Sequence, residues 1–93
     1  MKIGIASDHG GFRLKEAIKK HFSAVEFNDA GTFGEDSCDY PDYVAALCRS
    51  IQSGGIECGI VICGTGIGAS ITANKMKGIR AALCCNEFMA EMS

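Results

Sequence analysis

The stretch GIVICGTGIG, from Gly59 to Gly68, decides the fold that we predict for this chain. Its first half, Gly59–Cys63, is apolar and rich in β-branched residues without polar alternation, which is typical of a strand covered on both faces. Its second half holds three glycines in five positions and leads into a helical pattern over 69–77. A buried strand, a glycine turn and a helix in this order predict an α/β fold with a parallel sheet.

The alternation of strands and helices continues on both sides of this stretch. Short apolar runs predict four strands, at 3–6, 24–28, 59–63 and 79–83. Helical spacing of apolar residues predicts helices at 14–22, 41–53 and 69–77, and the start of another at 86–93. Short connections between such elements favour right-handed crossovers with helices on both faces of the sheet. We therefore predict a Rossmann-like, doubly wound α/β domain with three αβα layers over residues 1–93.

The first predicted helix has an apolar face and a charged face. The apolar face, expected to be buried, carries Leu14, Ala17, Ile18 and Phe22. The charged face, expected to meet solvent, carries Lys15, Glu16, Lys19 and Lys20.

The composition narrows the class of protein. With 93 residues, 47% of them hydrophobic and 22% charged, the chain is typical of one small globular domain. Nine basic against eleven acidic residues give a net charge of −2. The chain therefore lacks the excess of positive charge with which proteins bind nucleic acid or an anionic membrane. No apolar run has membrane-spanning or signal-peptide length, so we expect no membrane partner and a cytoplasmic location.

The six cysteines predict free thiols rather than a disulfide framework or a zinc site. The chain has no Cys-x-x-Cys pair and only two histidines, His9 and His21, so the spacing of a structural metal site is absent. Reduced thiols in a cytosolic protein are the simplest account. We expect no metal, and we assign no role to Cys38, Cys58 or Cys85.

The turn after the buried strand is the strongest candidate for chemistry. Ligands of parallel sheets bind at the carboxyl ends of the strands, where Cys63 and the glycine turn 64–68 lie. Amides at the start of a helix attract an anion, and a thiol beside them is favoured as thiolate. Such a thiolate can take a proton while the amides stabilise the oxyanion that results. The alternative is a structural turn with an inert cysteine.

Two further turns are expected at the same edge of the sheet. Asp8 and His9 follow the first strand, and their side chains can hold hydroxyls or a phosphate, although Asp8 is equally suited to cap the first helix. Tyr40 precedes Pro41 in a loop that can fold over the site, or its ring only fixes the start of the second helix.

Nucleotide binding is a weaker interpretation of the same glycines. Gly64, Gly66 and Ala69 fit the pattern G-x-G-x-x-A, and Glu87 lies near the end of the next strand. That fingerprint normally follows the first strand of the sheet, whereas this one follows the third. The chain also has no Gly-Lys-Ser or Gly-Lys-Thr, with which the phosphate-binding Walker A loop ends. We therefore expect no cofactor.

Several short motifs along the whole chain resemble one family when taken together. They are SDHGGF at Ser7–Phe12, DYP at Asp39–Pro41, CGTGIG at Cys63–Gly68, ANK at Ala73–Lys75 and GIRA at Gly78–Ala81. In this order and spacing they resemble ribose-5-phosphate isomerase type B, a family that includes the subunits of galactose-6-phosphate isomerase.

The resemblance implies an aldose–ketose isomerase that acts on a phosphorylated sugar, without metal or nucleotide, and interconverts ribose 5-phosphate and ribulose 5-phosphate. Cys63 matches the base that moves a proton between C1 and C2 through an enediolate, and Thr65 matches a residue at the reacting end. The implied substrate contacts are Asp8, His9, Tyr40, Gly64, Gly66, Ile67 and Gly68, with the amides of Gly66 to Gly68 as an anion hole. Isomerisation of galactose or allose 6-phosphate, and a binding fragment without catalysis, remain alternatives.

The family differs from this chain in length. Its members continue past Ser93 with a fifth strand, a C-terminal helix, a ring-opening histidine and arginines that bind the phosphate. They are dimeric, and each site is shared between subunits. The resemblance therefore implies a homodimer or a dimer of dimers, and it predicts weak or no activity for the 93-residue chain alone.

Overall fold

The computed structural model describes residues 2–93 and has a parallel sheet with helices. The strands are β1 (Lys2–Ser7), β2 (Glu26–Asp29) and β3 (Cys58–Ile62), in the order β2-β1-β3. The helices are α1 (Phe12–His21), α2 (Tyr40–Gln52), α3 (Ile67–Asn74) and α4 (Glu87–Met92), and a short 3-10 turn covers His9–Gly11. With right-handed crossovers this strand order places α1 on one face and α2 on the other, as a doubly wound fold requires.

The strand register places two connections side by side. Ser7, the last residue of β1, pairs with Ile62, the last residue of β3. The next residue in the chain, Asp8, donates its N–H to the carbonyl of Ile62 over 3.2 Å. Both strands therefore end at one level, and the turns that follow them lie next to each other.

Close packing of α2 explains two glycines within the strands. Leu47 of α2 is buried, and its side chain lies where a Cβ at Gly4 or Gly59 would stand; at residue 59 that atom would be 2.9 Å from Leu47 Cδ2. The apolar core continues from Val44 and Cys48 of α2 to two small residues of α3, Ala69 and Ala73. The helices on this face are thereby held close to β1 and β3.

The strand predicted at 79–83 is wrong within the part of the chain that the structure describes. No ladder forms there, and a cleft separates the segment from β3. The backbone of Ala81 bonds to a side chain: its N–H donates to Asn74 Oδ1, and its carbonyl accepts from Asn74 Nδ2, each over 2.9 Å. A cleft of about 1270 Å³ is lined by β3 on one side and by 78–84 on the other. β3 is an edge strand, and the prediction that it is covered on both faces is wrong, since none of its residues is buried and Ile60 is exposed.

The orientation predicted for the first helix is also wrong. Lys15 is completely buried, whereas Leu14 and Phe22 are each more than half exposed. The cause is Asp29 at the end of β2, whose Oδ2 lies 2.6 Å from the ammonium nitrogen of Lys15. Leu14 instead lines the cleft beside β3.

The remaining elements follow the predictions with shifted ends. Helix α2 buries Val44, Leu47 and Cys48 and has Pro41 in its first turn. Helix α3 begins at Ile67, two residues before the predicted start at 69, so Ile67 and Gly68 belong to its first turn. No helix within residues 2–93 is long and apolar enough to cross a membrane.

Candidate active site

The structure brings the turn after β1 and the turn after β3 together, as predicted. A Cβ at Gly10 would lie only 3.9 Å from the Cα of Gly64. At Gly11 the approach is closer still, because a Cβ there would stand 2.7 Å from Ile62 Cγ2. Glycine at residue 11 thus lets the 3-10 turn rest directly on the end of β3.

Cys63 lies half-buried at the first position after β3, with its sulfur at the start of α3. The backbone N–H of Gly66 donates to Cys63 Sγ over 3.2 Å. Gly66 adopts φ +82°, a left-handed conformation that glycine reaches without strain. The left-handed conformation of Gly66 therefore directs its N–H toward the sulfur, and helix α3 begins at the next residue.

The predicted anion hole is smaller than the sequence suggests. The Gly66 N–H is taken by Cys63, and the Ile67 N–H donates to Thr65 Oγ1 over 3.2 Å. The first bond of α3 runs from Ser70 N–H to the Gly66 carbonyl. Of the three amides expected in the anion hole, the N–H of Gly68 is the one that has no acceptor among residues 2–93 and so remains available to a ligand.

Tyr40 covers the start of α3. A Cβ at Gly68 would lie 2.6 Å from the phenolic oxygen of Tyr40, so the ring rests directly against the backbone of residue 68. Tyr40 is also the first residue of α2, directly after the N-cap residue Asp39. The Tyr40 ring thus lies against the turn after β3, while the Tyr40 backbone begins α2.

Asp8 and His9 hold the other side of the site. Asp8 Oδ1 accepts the N–H of Gly11 over 3.0 Å, which is the predicted capping bond. His9 is exposed, and its Nδ1 accepts the backbone N–H of Cys38 over 3.2 Å. Sequence reasoning missed Cys38. The available signal was the path of the chain from β2 to α2, which crosses the carboxyl edge of the sheet in front of the turn after β1.

A charged network behind the site fixes the end of β1. Asp29 accepts from Lys15 and from Lys19 (2.6 and 2.8 Å), and its other oxygen accepts the Gly31 N–H. Burial alone would raise the pKa of Asp29, but these donors outweigh it and hold the pKa below its ordinary value. The Gly31 carbonyl in turn accepts the N–H of Ser7 over 2.7 Å.

The other candidates lie outside this site or are tied elsewhere. Arg13 pairs with Glu35 on the surface, and that contact raises the pKa of Arg13. Glu87 of the nucleotide pattern is exposed at the start of α4. Within the described residues, 2–93, no three His, Cys, Asp or Glu side chains are grouped so that they could hold a metal ion.

Comparison with known proteins identifies the family. Residues 3–93 match the model of the family described as Ribose/Galactose Isomerase. The chain belongs to this family. Among solved structures, the ribose-5-phosphate isomerase B of Clostridium thermocellum is 53% identical and superposes with a TM-score of 0.96, covering 100% of this chain. A ribose 5-phosphate isomerase from Thermotoga maritima is 49% identical, with a TM-score of 0.94 over 98% of this chain.

The relatives are longer than this chain. The match to ribose-5-phosphate isomerase B of Escherichia coli is 43% identical and covers 99% of this chain but 63% of that protein. The chain likewise spans 64% of each of the two solved structures. The Rossmann-like fold predicted from the sequence is confirmed by these structures, over the part that the two proteins share.

Proposed function

We propose that this chain carries the proton-transfer half of an aldose–ketose isomerase site, with ribose 5-phosphate and ribulose 5-phosphate as substrate and product. The observation that carries the proposal is the position of Cys63: its sulfur lies at the start of α3, 3.2 Å from one amide nitrogen and near the unpartnered amide of Gly68. The family membership and the matched relatives support the same reaction.

In the proposed reaction the Cys63 thiolate takes the proton from C2 of the open-chain aldose. The C2–H electron pair forms the C1–C2 double bond, and the former C1 carbonyl oxygen becomes the oxyanion of an enediolate. A proton moves from the C2 hydroxyl to the C1 oxygen, and the Cys63 thiol then returns its proton to C1. The product is the ketose, and the sulfur is again a thiolate.

The surroundings of Cys63 suit these steps. The start of a helix and the Gly66 N–H are donors to a negative sulfur, and a thiolate rather than a thiol accepts a proton. The N–H of Gly68, which has no acceptor among residues 2–93, can donate to the charge that leaves the sulfur and develops on the sugar oxygen. The Thr65 hydroxyl, which is fixed by the Ile67 N–H, lies at the same turn.

The sugar contacts form the second part of the proposal. Asp8, His9 and Tyr40 stand around the turn and offer a carboxylate oxygen, an imidazole and a phenol to sugar hydroxyls. The backbone of Gly64 and Ile67 completes the lining. We further propose that a second copy of the chain contributes to the site, and a solution mass by light scattering tests for that dimer.

The first prediction concerns Cys63→Ala. The 93-residue chain is incubated with ribose 5-phosphate in D₂O, and deuterium entering at C2 is followed by NMR. Proton transfer at C2 gives exchange even when overall turnover is slow, which we expect for a chain spanning 63% of its relative. Removing the base should slow exchange by about 100-fold or more while ribose 5-phosphate still binds.

Cys58→Ala is the matched control, because Cys58 is an exposed cysteine at the opposite end of β3. Its exchange rate should equal that of the parent chain. Equal rates in Cys63→Ala and the parent would overturn the role of Cys63. Binding of ribose 5-phosphate without any exchange in the parent would instead show a binding module.

A further inference from the structure

The loop before Tyr40 makes a direct bond to a proposed ligand-binding side chain. The backbone N–H of Cys38 donates to Nδ1 of His9 over 3.2 Å, across 29 positions of sequence. The thiol sulfur of Cys38 lies 3.9 Å from the same ring nitrogen. A second contact, between Arg13 and Glu35, ties the same loop to the first turn of α1.

The chemistry of this bond determines the protonation of the ring. A backbone N–H is only a donor, so Nδ1 of His9 must offer a lone pair. A neutral imidazole carries one proton, which then sits on Nε2. Among residues 2–93, Nε2 has no hydrogen-bond partner, and the ring is exposed. The next residue, Gly10, lies against Gly64 of the turn after β3.

We propose that Cys38 is a positioning residue whose backbone N–H holds His9 as the Nε2–H tautomer, so that the imidazole presents a donor to an oxygen of the ligand. A ligand group opposite His9 must then accept a hydrogen bond, as a sugar hydroxyl oxygen or a phosphate oxygen does. The choice of ligand rests on the proposed function, whereas the tautomer rests on the structure alone.

The position of Cys38 gives this bond a second consequence. Cys38 stands two residues before Tyr40, whose ring rests on Gly68. One short segment, 38–40, therefore orients a side chain from the turn after β1 and covers the turn after β3. Its backbone sets the distance between the His9 imidazole and the Tyr40 phenol, between which a ligand would lie.

The second prediction tests this tautomer by two-bond ¹⁵N–¹H NMR of the parent chain. We expect His9 Nδ1 to report as unprotonated and Nε2 as protonated, and His21, on the exposed end of α1, serves as the internal comparison. A His9 spectrum with the proton on Nδ1 would overturn the proposal. This measurement uses only the parent chain, so it tests the proposal whether or not the variants fold.

Variants then separate the backbone bond from the side chain. Cys38→Pro removes the N–H, and we expect His9 to shift to the tautomer mixture of a free imidazole and ribose 5-phosphate to bind about 10-fold more weakly. Cys38→Ala keeps the N–H and should keep the tautomer. Ser37→Pro introduces the same ring one position earlier, and an equal effect there would overturn the proposal, since loop distortion would explain both.

The outcome for the tautomer is independent of the outcome for the function. If His9 is the Nε2–H tautomer but the parent chain fails to bind ribose 5-phosphate, the proposed function fails and the positioning role stands. If ribose 5-phosphate binds equally to the parent chain and to a folded Cys38→Pro variant, the positioning role fails and the proposed function stands.

Discussion

At the scale of single residues, the missing side chain of Gly68 allows Tyr40 to close over the candidate site. A Cβ at residue 68 would lie within 2.7 Å of the Tyr40 ring carbon Cε1, closer than any ordinary van der Waals contact. The aromatic ring therefore touches backbone where another residue would hold it away. Contact between Tyr40 and the start of α3 depends on this one glycine.

The third prediction follows from this contact. Gly68→Ala should lower the free energy of unfolding by about 2 kcal/mol, because the methyl group overpacks against the phenol ring. Chemical denaturation measures the change. Gly64→Ala, in the same turn but with open space around it, is the matched control and should change stability much less.

A double-mutant cycle tests the cause of this loss. In a Tyr40→Ala background, Gly68→Ala should be tolerated, so the effects of the two substitutions should not add. Additive effects would show that the loss comes from the helix and not from the ring.

At the scale of elements, α1 buries a charged side chain, Lys15, while Leu14 and Ile18 of its apolar stripe line the open cleft beside β3. Lys15 is buried with its ammonium group above the rings of Phe12 and Phe33, at 5.4 and 5.1 Å from their centroids. Asp29 supplies the nearest opposite charge, 2.6 Å from the ammonium nitrogen, and Glu16 supplies a second at 3.2 Å. Lys19 donates to the same Asp29 carboxylate. An ion pair of this kind is hard to remove on one side, because the remaining charge stays buried.

The fourth prediction concerns Asp29→Asn. Leaving Lys15 without this carboxylate should destabilise the chain by roughly 3 kcal/mol at pH 7, measured by urea denaturation. The low pKa of Asp29 adds a pH dependence: the carboxylate stabilises the fold above its ordinary pKa of 3.8, and that contribution is lost as pH falls through the lower folded pKa. The difference between parent and variant should therefore shrink in acid.

Glu35→Gln provides the comparison for this variant. Glu35 also has a lowered pKa, caused by the hydrogen bond from Arg13, but both side chains of that pair are largely exposed. Exposed pairs contribute little, so this substitution should leave the urea midpoint nearly unchanged. A gap between parent and Asp29→Asn that stays constant down to pH 2 would contradict the role assigned to Asp29.

At the scale of the whole molecule, the sheet has a buried central strand, β1, and an edge strand, β3, that faces an open cleft. β1 is central and contains the fully buried Ile5 and Ala6, whereas β3 faces a cleft of about 1270 Å³. The segment 79–83 lies across that cleft and is held at Ala81 by the Asn74 side chain. Stability should therefore decrease from β1 toward the cleft.

The fifth prediction measures this gradient by hydrogen exchange. The amides of Ile5 and Ala6 should exchange most slowly. Those of 79–83 should exchange fast except at Ile79 and Ala81, whose N–H groups have acceptors. Asn74→Ala should abolish the protection of Ala81, because it removes the acceptor of that N–H. Asn86→Ala removes a similar side-chain acceptor from the start of α4 and should leave Ala81 unaffected.

Much of this molecule can be predicted from its sequence, and the failures have physical causes. The strand near 59–63, the helix after Pro41 and the meeting of the turns at Asp8 and Cys63 follow from local patterns and from the geometry of parallel sheets. The predicted cover on both faces of that strand does not follow, because Ile60 is exposed at the sheet edge. The strand predicted at 79–83 is absent, because an apolar run forms a strand only where a neighbouring strand pairs with it, and local patterns do not show that pairing. The burial of Lys15 depends on a carboxylate 14 positions away.

The sequence by itself determined the alternation of elements, the thiol at the end of β3 and the family of the chain, because these depend on neighbouring residues and short motifs. Only the tertiary structure decided which amides stay free, that the Cys38 N–H meets His9, and that Tyr40 rests on Gly68. Each of these contacts joins residues that are distant in the chain or depends on the direction of a single N–H. Periodicity and composition carry no information about such directions.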